Sequence, residues 1–173
     1  MAVQSIPVPG EIAIKVCIGE VCVQWSRLEM ALIGLICQIE PMEVAKAYII
    51  FGGLDIQPRV NMALNLAHHN KVPASVTKRI RALRKQLQGG LTDRRNQVVH
   101  GAHRDMEGAE ITLTMVRLKG DKRDTRLSAV DIAALAAEIH ELGSEVWSIS
   151  NELLNWSVGK HVEIYLGNDF SSS

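Results

Sequence analysis

Apolar residues recur along the first part of the chain at alternating steps of four and three: Ile14, Ile18, Val21, Trp25, Leu28, Leu32, Leu35 and Ile39. That spacing keeps one face of a helix apolar along its whole length. It predicts a helix from about Gly10 to Ile39, stopped by Pro41, whose ring cannot continue a helix. The last third repeats the pattern with Ile132, Leu135, Ile139, Leu142, Val146, Ile149, Leu153 and Trp156. Ser128 with Asp131 three residues on reads as the capping box that opens this second long helix. Two long helices with matching seams are expected to pack antiparallel in a bundle.

Shorter elements fill the interval. A helix from about Met42 to Phe51 ends at Gly52-Gly53. Asp55 caps the next, with Pro58 tolerated in its first turn, Val60, Leu64 and Ala67 on its apolar face, and an end near His68-His69-Asn70. Pro73 and Ser75 open a fourth helix buried along Val76, Ile80, Leu83 and Leu87. Gly89-Gly90 then marks a kink or break, because each glycine inside a helix costs about 1 kcal/mol relative to alanine. Helical pattern resumes through Leu91, Val98 and Val99 and stops near Gly101.

From Glu110 to Leu118 the pattern changes to alternation, with Thr112, Thr114 and Val116 against Ile111, Leu113 and Met115, the period of a strand. Gly120-Asp121 is a turn signal, and Arg123 to Leu127 returns as a second strand. Beyond Trp156 the periodicity fades. His161 to Leu166 is expected to form a short strand, and residues 167–173, ending in serines, a disordered tail. The expectation is therefore an all-α, up-down helical bundle forming a single domain over 1–173. Its core spans about 11–157, and a small β-hairpin insertion occupies 110–127.

Composition and charge refine this picture. A hydrophobic fraction of 47% and a charged fraction of 22% over 173 residues suit one globular domain. Three Trp, two Tyr and two Phe are too few for a stacking platform for single-stranded nucleic acid. The apolar run Met30 to Ile39 falls far short of the ~20 residues that span a bilayer, no signal peptide is visible, and a soluble cytoplasmic protein is expected. Cys17, Cys22 and Cys37 are odd in number and form no C-x-x-C, so buried free thiols in a reducing compartment fit best.

Net charge is zero, yet Lys71 to Arg104 holds nine Lys or Arg against one acid, Asp93. A solvated helix face would account for such a run, and so would a surface that meets phosphates. The run leads directly into Arg95-Asn96-Gln97-Val98-Val99-His100, followed by Gly101. Arginine matches phosphate oxygens with its planar fork. Histidine as a residue type serves as acid or base near neutral pH, and asparagine can orient the imidazole or bond the phosphate. On an ideal helix, residues five apart diverge by about 140°, so Arg95 and His100 do not point the same way, although a long side chain can reach around. Asn96 and His100, four apart, share a face.

Arg-Asn-x-x-x-His in a small helical protein resembles the signature of the HEPN superfamily. The resemblance covers residues 95–101 in motif and about 11–157 in architecture. It implies a metal-independent endoribonuclease without cofactors, cutting RNA by 2′-OH attack at a composite site in a homodimer. Such domains are similar to those of toxin–antitoxin and antiphage systems, where a partner protein often silences the nuclease. The implied catalytic residues are Arg95 for phosphate stabilisation, Asn96 for orientation and His100 as general acid or base. Lys78, Arg79, Arg81, Arg84, Lys85, Arg94 and His103 are the expected RNA-binding residues. The alternative is a non-catalytic helical dimer serving as adaptor, immunity protein or scaffold. The two readings differ over His100: an enzyme needs it accessible beside its symmetry mate in an open basic cleft, whereas a scaffold buries it or pairs it with a carboxylate.

Other chemistry is weaker. His100 and His103, with Asp105 and Glu107 nearby, share the spacing of a partial metal sphere but match no zincin pattern. His68 and His69 are adjacent and point about 100° apart. Neither glycine pair belongs to a phosphate-cradling loop.

Overall fold

A computed structural model describes residues 10–107, 110–116 and 122–167. Six α-helices and three strands lie among these residues. They run α1 (Gly10–Ile39), α2 (Val44–Phe51), α3 (Ile56–His69), α4 (Ala74–Gln86), α5 (Thr92–His100), β1 (Ala102–Glu107), β2 (Glu110–Val116), β3 (Lys122–Ser128) and α6 (Ala129–Gly167). The fold is mostly helical, with a small antiparallel sheet inserted before the last helix. No helix among the described residues is long and apolar enough to cross a membrane.

The apolar seams do what their spacing demands. Ile14, Val21, Trp25, Leu28, Leu32, Leu35 and Ile39 of α1 are buried, as are Ile132, Leu135, Ile139, Leu142, Val146, Ile149 and Leu153 of α6. Each such side chain contributes about 1.5–3 kcal/mol through removal from water. Ile18 and Trp156 are only half-buried. The thiols of Cys17, Cys22 and Cys37 are free and half-buried rather than fully buried, and burial pushes the Cys37 thiol up.

The chain forms two compact units. One takes α1 up to Arg27 together with Gly89–Glu141; the other takes Leu28–Gln88 together with α6 from Leu142. In the first unit His140 Nδ1 of α6 lies 3.2 Å from Gln24 Oε1 of α1, and in the second the contacts of α3 with α1 and of α4 with α6 set the two long helices in the same direction. This corrects the antiparallel pairing expected of them. Within the second unit α3 follows α1, since Arg59 reaches the Glu29 carbonyl and Asn70 Nδ2 donates to the Ile39 carbonyl at 2.7 Å. The antiparallel neighbour of α6 there is α4, through Ser75 to Glu152 and Arg79 to Glu145. The short α2 returns the chain before α3 begins, and heptad seams say which faces are apolar but not which way a partner runs.

Arg59 locks that return. Its side chain is 5% exposed. Its Nε donates to the Phe51 carbonyl at 3.1 Å and its Nη2 to the Gly52 carbonyl at 2.9 Å. It therefore satisfies carbonyls at the end of α2, which have no helical donor. Glu29 lies 3.9 Å away as its counter-charge. At the end of α3, Val72 N–H bonds the Ala67 carbonyl at 3.0 Å and Lys71 N–H the His68 carbonyl at 3.3 Å. This is the Schellman arrangement, and it places Lys71 in the left-handed region at φ 54.

Leu87–Leu91 carries the kink between α4 and α5. Gly89 keeps an ordinary φ of −74, while Gly90 sits at φ 101. The sheet is a meander in the order β1-β2-β3, with Ile111 and Leu113 of β2 buried. The hairpin expectation missed β1, which pairs Ala102 with Thr114 and Met106 with Ile111; its charged stretch shows no alternation. Ser128 and Asp131 form the capping box, with Ser128 N–H to Asp131 Oδ2 at 2.8 Å and Asp131 N–H to Ser128 Oγ at 3.1 Å. α6 continues to Gly167, so 161–166 is helix and not the expected strand: a helix already under way extends cheaply where isolated pattern is weak. The turn expected at Gly120-Asp121 and the tail from 168 lie outside the described residues.

Two outcomes follow from the kink and the lock. Gly90→Ala is expected to lower stability by about 1–2 kcal/mol, whereas Gly89→Ala raises it by about 0.4–1 kcal/mol; urea denaturation separates the two. Arg59→Leu leaves the Gly52 carbonyl without its donor and Glu29 without its counter-charge, and is expected to cost about 1–3 kcal/mol in the same assay.

Candidate functional site

α5 is short because Gly90 breaks the helix before it and Gly101 ends it. Gly101 N–H bonds the Gln97 carbonyl at 3.0 Å. A Cβ at Gly101 would run into that carbonyl and lie 3.4 Å from Leu113 Cβ, so the chain turns here against β2. Val98 is buried and anchors the helix. Gln97 Nε2 donates to Thr125 Oγ1, which ties α5 to β3.

On this helix Arg95 and Asn96 are half-buried and His100 is exposed. Arg95 Nη1 donates to Asn96 Oδ1 at 2.9 Å and lies 3.1 Å from His100 Nε2. The three motif residues are therefore brought together within one chain. The divergence between helix positions five apart is overcome by the length of the arginine side chain. Asn96 bonds the guanidinium here, and no hydrogen bond between Asn96 and the imidazole is present among the described residues.

Trp25 supplies a platform that the sequence reading did not assign beyond the core. Its ring is 4% exposed, and the Arg95 guanidinium carbon sits 5.0 Å from the ring centroid. Stacking of this kind stabilises a guanidinium and fixes its plane. Arg95 Nε is buried without a hydrogen-bond partner, so all of its described polar contact is through Nη1, toward Asn96 and His100. No sequence signal links Trp25 or Thr125 to the motif, because both approach it only through folding.

The expected RNA-binding residues are divided by their partners. Arg94 Nη2 is held by the Glu138 carboxylate at 2.7 Å. Arg79 Nε and Nη2 grip Glu145 at 2.8 and 2.9 Å, and its Nη1 reaches Glu152 at 2.7 Å. Both cations thus pair with carboxylates of α6, Arg94 at the surface with its side chain 51% exposed. Arg81 lies beside His68, with Nη2 3.4 Å from Nε2. Lys78 and Lys85 are exposed and Arg84 is half-buried. His103 is exposed at the start of β1. The side chains of Asp105 and Glu107 lie outside the described residues. No group of three or more His, Cys, Asp or Glu among the described residues converges as a metal site requires.

Comparison with protein-family models, with curated proteins and with solved structures finds no match to this chain.

The Arg79 cluster makes a prediction for acid stability. The hydrogen bond from Arg79, assisted by its charge and opposed by burial, holds the Glu145 carboxyl below the usual carboxylate range. A carboxylate lowered in the folded state contributes stability that is present above its unfolded pKa, about 4.3, and lost as pH falls through the folded value. Arg79→Gln is expected to flatten the fall in melting temperature below about pH 4.3 and to leave the slope near neutrality unchanged. Melting curves across that range check it.

Proposed function

We propose that this protein is a metal-independent endoribonuclease of the HEPN type, acting as a homodimer. One observation carries the reading: Arg95 Nη1 joins Asn96 Oδ1 and the exposed His100 Nε2 in a single cluster. Among the described residues no carboxylate is paired with His100. A scaffold would bury or neutralise this histidine. Trp25 holds the guanidinium from behind, so its charge is oriented without being cancelled.

In the proposed reaction a base takes the proton of the ribose 2′-OH. The 2′-oxygen attacks phosphorus, the bond to the 5′-oxygen breaks, and that oxygen takes a proton. The products are a 2′,3′-cyclic phosphate and a 5′-hydroxyl. His100 serves as acid or base, Arg95 stabilises charge on the phosphoryl oxygens, and Asn96 fixes the guanidinium through its side-chain oxygen. One imidazole in each chain's Arg95 cluster is a reason to expect two chains at the site, one supplying the base and the other the acid.

The test is cleavage of total cellular RNA by the purified protein in EDTA, beside His100→Ala. His100 is exposed, so the variant is expected to fold normally while losing about 10²–10⁴-fold in rate. Cleavage products of the wild type should carry 2′,3′-cyclic phosphate ends. Intact RNA from a folded dimer, or cleavage that persists in His100→Ala, overturns the reading in favour of a non-catalytic adaptor or scaffold.

A further inference from the structure

The turn between α3 and α4 holds an open surface hollow of about 290 Å³, lined in part by the exposed Arg81, which the cleavage reading expects to meet RNA. Its apolar walls are Ala67, Val72 and Ala74, and its polar lining includes His68, Lys71 and Arg81, with no carboxylate. The volume falls near the lower end of small-ligand sites, about 300–1,000 Å³. Thr77 also lines it, but its hydroxyl is already bonded to the Pro73 carbonyl at 3.3 Å.

Three features give the cavity a sign. Arg81 and Lys71 take part in no ion pair among the described residues, although Arg79, two positions away on the same helix, holds two carboxylates. The only described partner of Arg81 is another nitrogen, His68 Nε2, and a guanidinium can only donate. Lys71, finally, occupies the left-handed position at φ 54. Glycine fills that place in most Schellman ends, and an L side chain there costs about 1–2 kcal/mol. Strain of this kind is commonly kept where the side chain has work to do. α4 begins at Ala74, on the cavity wall, with no side-chain cap on its N-terminus, so the positive end of its dipole adds to the same field.

We propose that this hollow binds a phosphate group, with the Arg81 fork on two oxygens, the Lys71 ammonium on a third and His68, whose Nε2 faces Arg81, donating from Nδ1 at the edge. The group can belong to a small phosphate ester or to the backbone of an RNA strand. Lys78, Arg81 and Lys85, at i, i+3 and i+7 of α4, share one face and give a strand a path onward from the cavity. The site is independent of Arg95 and His100, and its test involves no turnover.

Melting of the full chain is followed in inorganic phosphate and in chloride at matched ionic strength. Phosphate at tenfold its Kd is expected to raise the melting temperature by about 3–5 °C over chloride. Arg81→Gln and Lys71→Gly should abolish that difference, while Lys46→Gln, an exposed change on α2, keeps it. Lys71→Gly also relieves the left-handed strain, so it is expected to fold at least as well as the wild type. Loss of the phosphate response without loss of stability thus separates a ligand role from a structural one. Equal melting in phosphate and chloride, or a response retained in both cavity variants, overturns the proposal. With the response established, a uridine monophosphate and a short RNA oligomer identify the source. Tighter binding of the oligomer assigns the group to an RNA backbone, and equal binding assigns it to a small ester.

Discussion

The structure depends on burying two apolar seams, those of α1 and α6. Everything between them is arranged so that the faces at Leu28, Leu32 and Leu35 and at Ile139, Val146 and Ile149 leave water. Apolar burial is non-directional, so it demands contact but not a particular topology. Direction is set by the polar contacts that finish each helix. Arg59 closes the end of α2, Asn70 ties the end of α3 to the end of α1, and the Arg79 cluster fastens α4 to α6. These are the interactions that turn a set of amphipathic helices into one arrangement of them.

The cations of the middle third show how folding sorts residues that look alike in sequence. Arg59, Arg79 and Arg94 each meet carboxylates or carbonyls and serve as struts. Lys71 and Arg81 line a cavity without a carboxylate. Arg95 is held on an indole ring with its terminal nitrogen offered to Asn96 and His100. Counting charge along the chain treats all of these from Lys71 onward as one basic run. Counter-ions, supplied by α1 and α6, decide which of them still carry a field that a phosphate would feel.

α5 gains its character from being cut off. Gly90 reaches a backbone region closed to most side chains, and Gly101 allows the chain to turn where a Cβ would collide. Between these breaks the motif helix is two and a half turns long, held by Val98 below and by the Gln97 contact to β3. A longer, regular helix would not need such tethers. In a short one they keep Arg95 and His100 at a fixed separation.

Local pattern carried much of the fold. The bounds of α1, the kink at Gly89-Gly90, the end of α5 at Gly101 and the Ser128–Asp131 box follow from spacing, glycine and capping chemistry within a few residues. The motif Arg95-Asn96-His100 was equally legible as a string. What spacing left undetermined were matters of partner and direction. It did not show that α6 runs with α1, that β1 adds a third strand, or that the helix continues past Trp156. Nor did it show that Trp25 carries Arg95, or that Arg79 and Arg94 pair with Glu145 and Glu138. Periodicity is written by neighbours within a turn or two of the helix, whereas the contacts of Arg94, Arg79 and Arg95 join residues some forty to seventy positions apart, and only the tertiary structure brings them within reach.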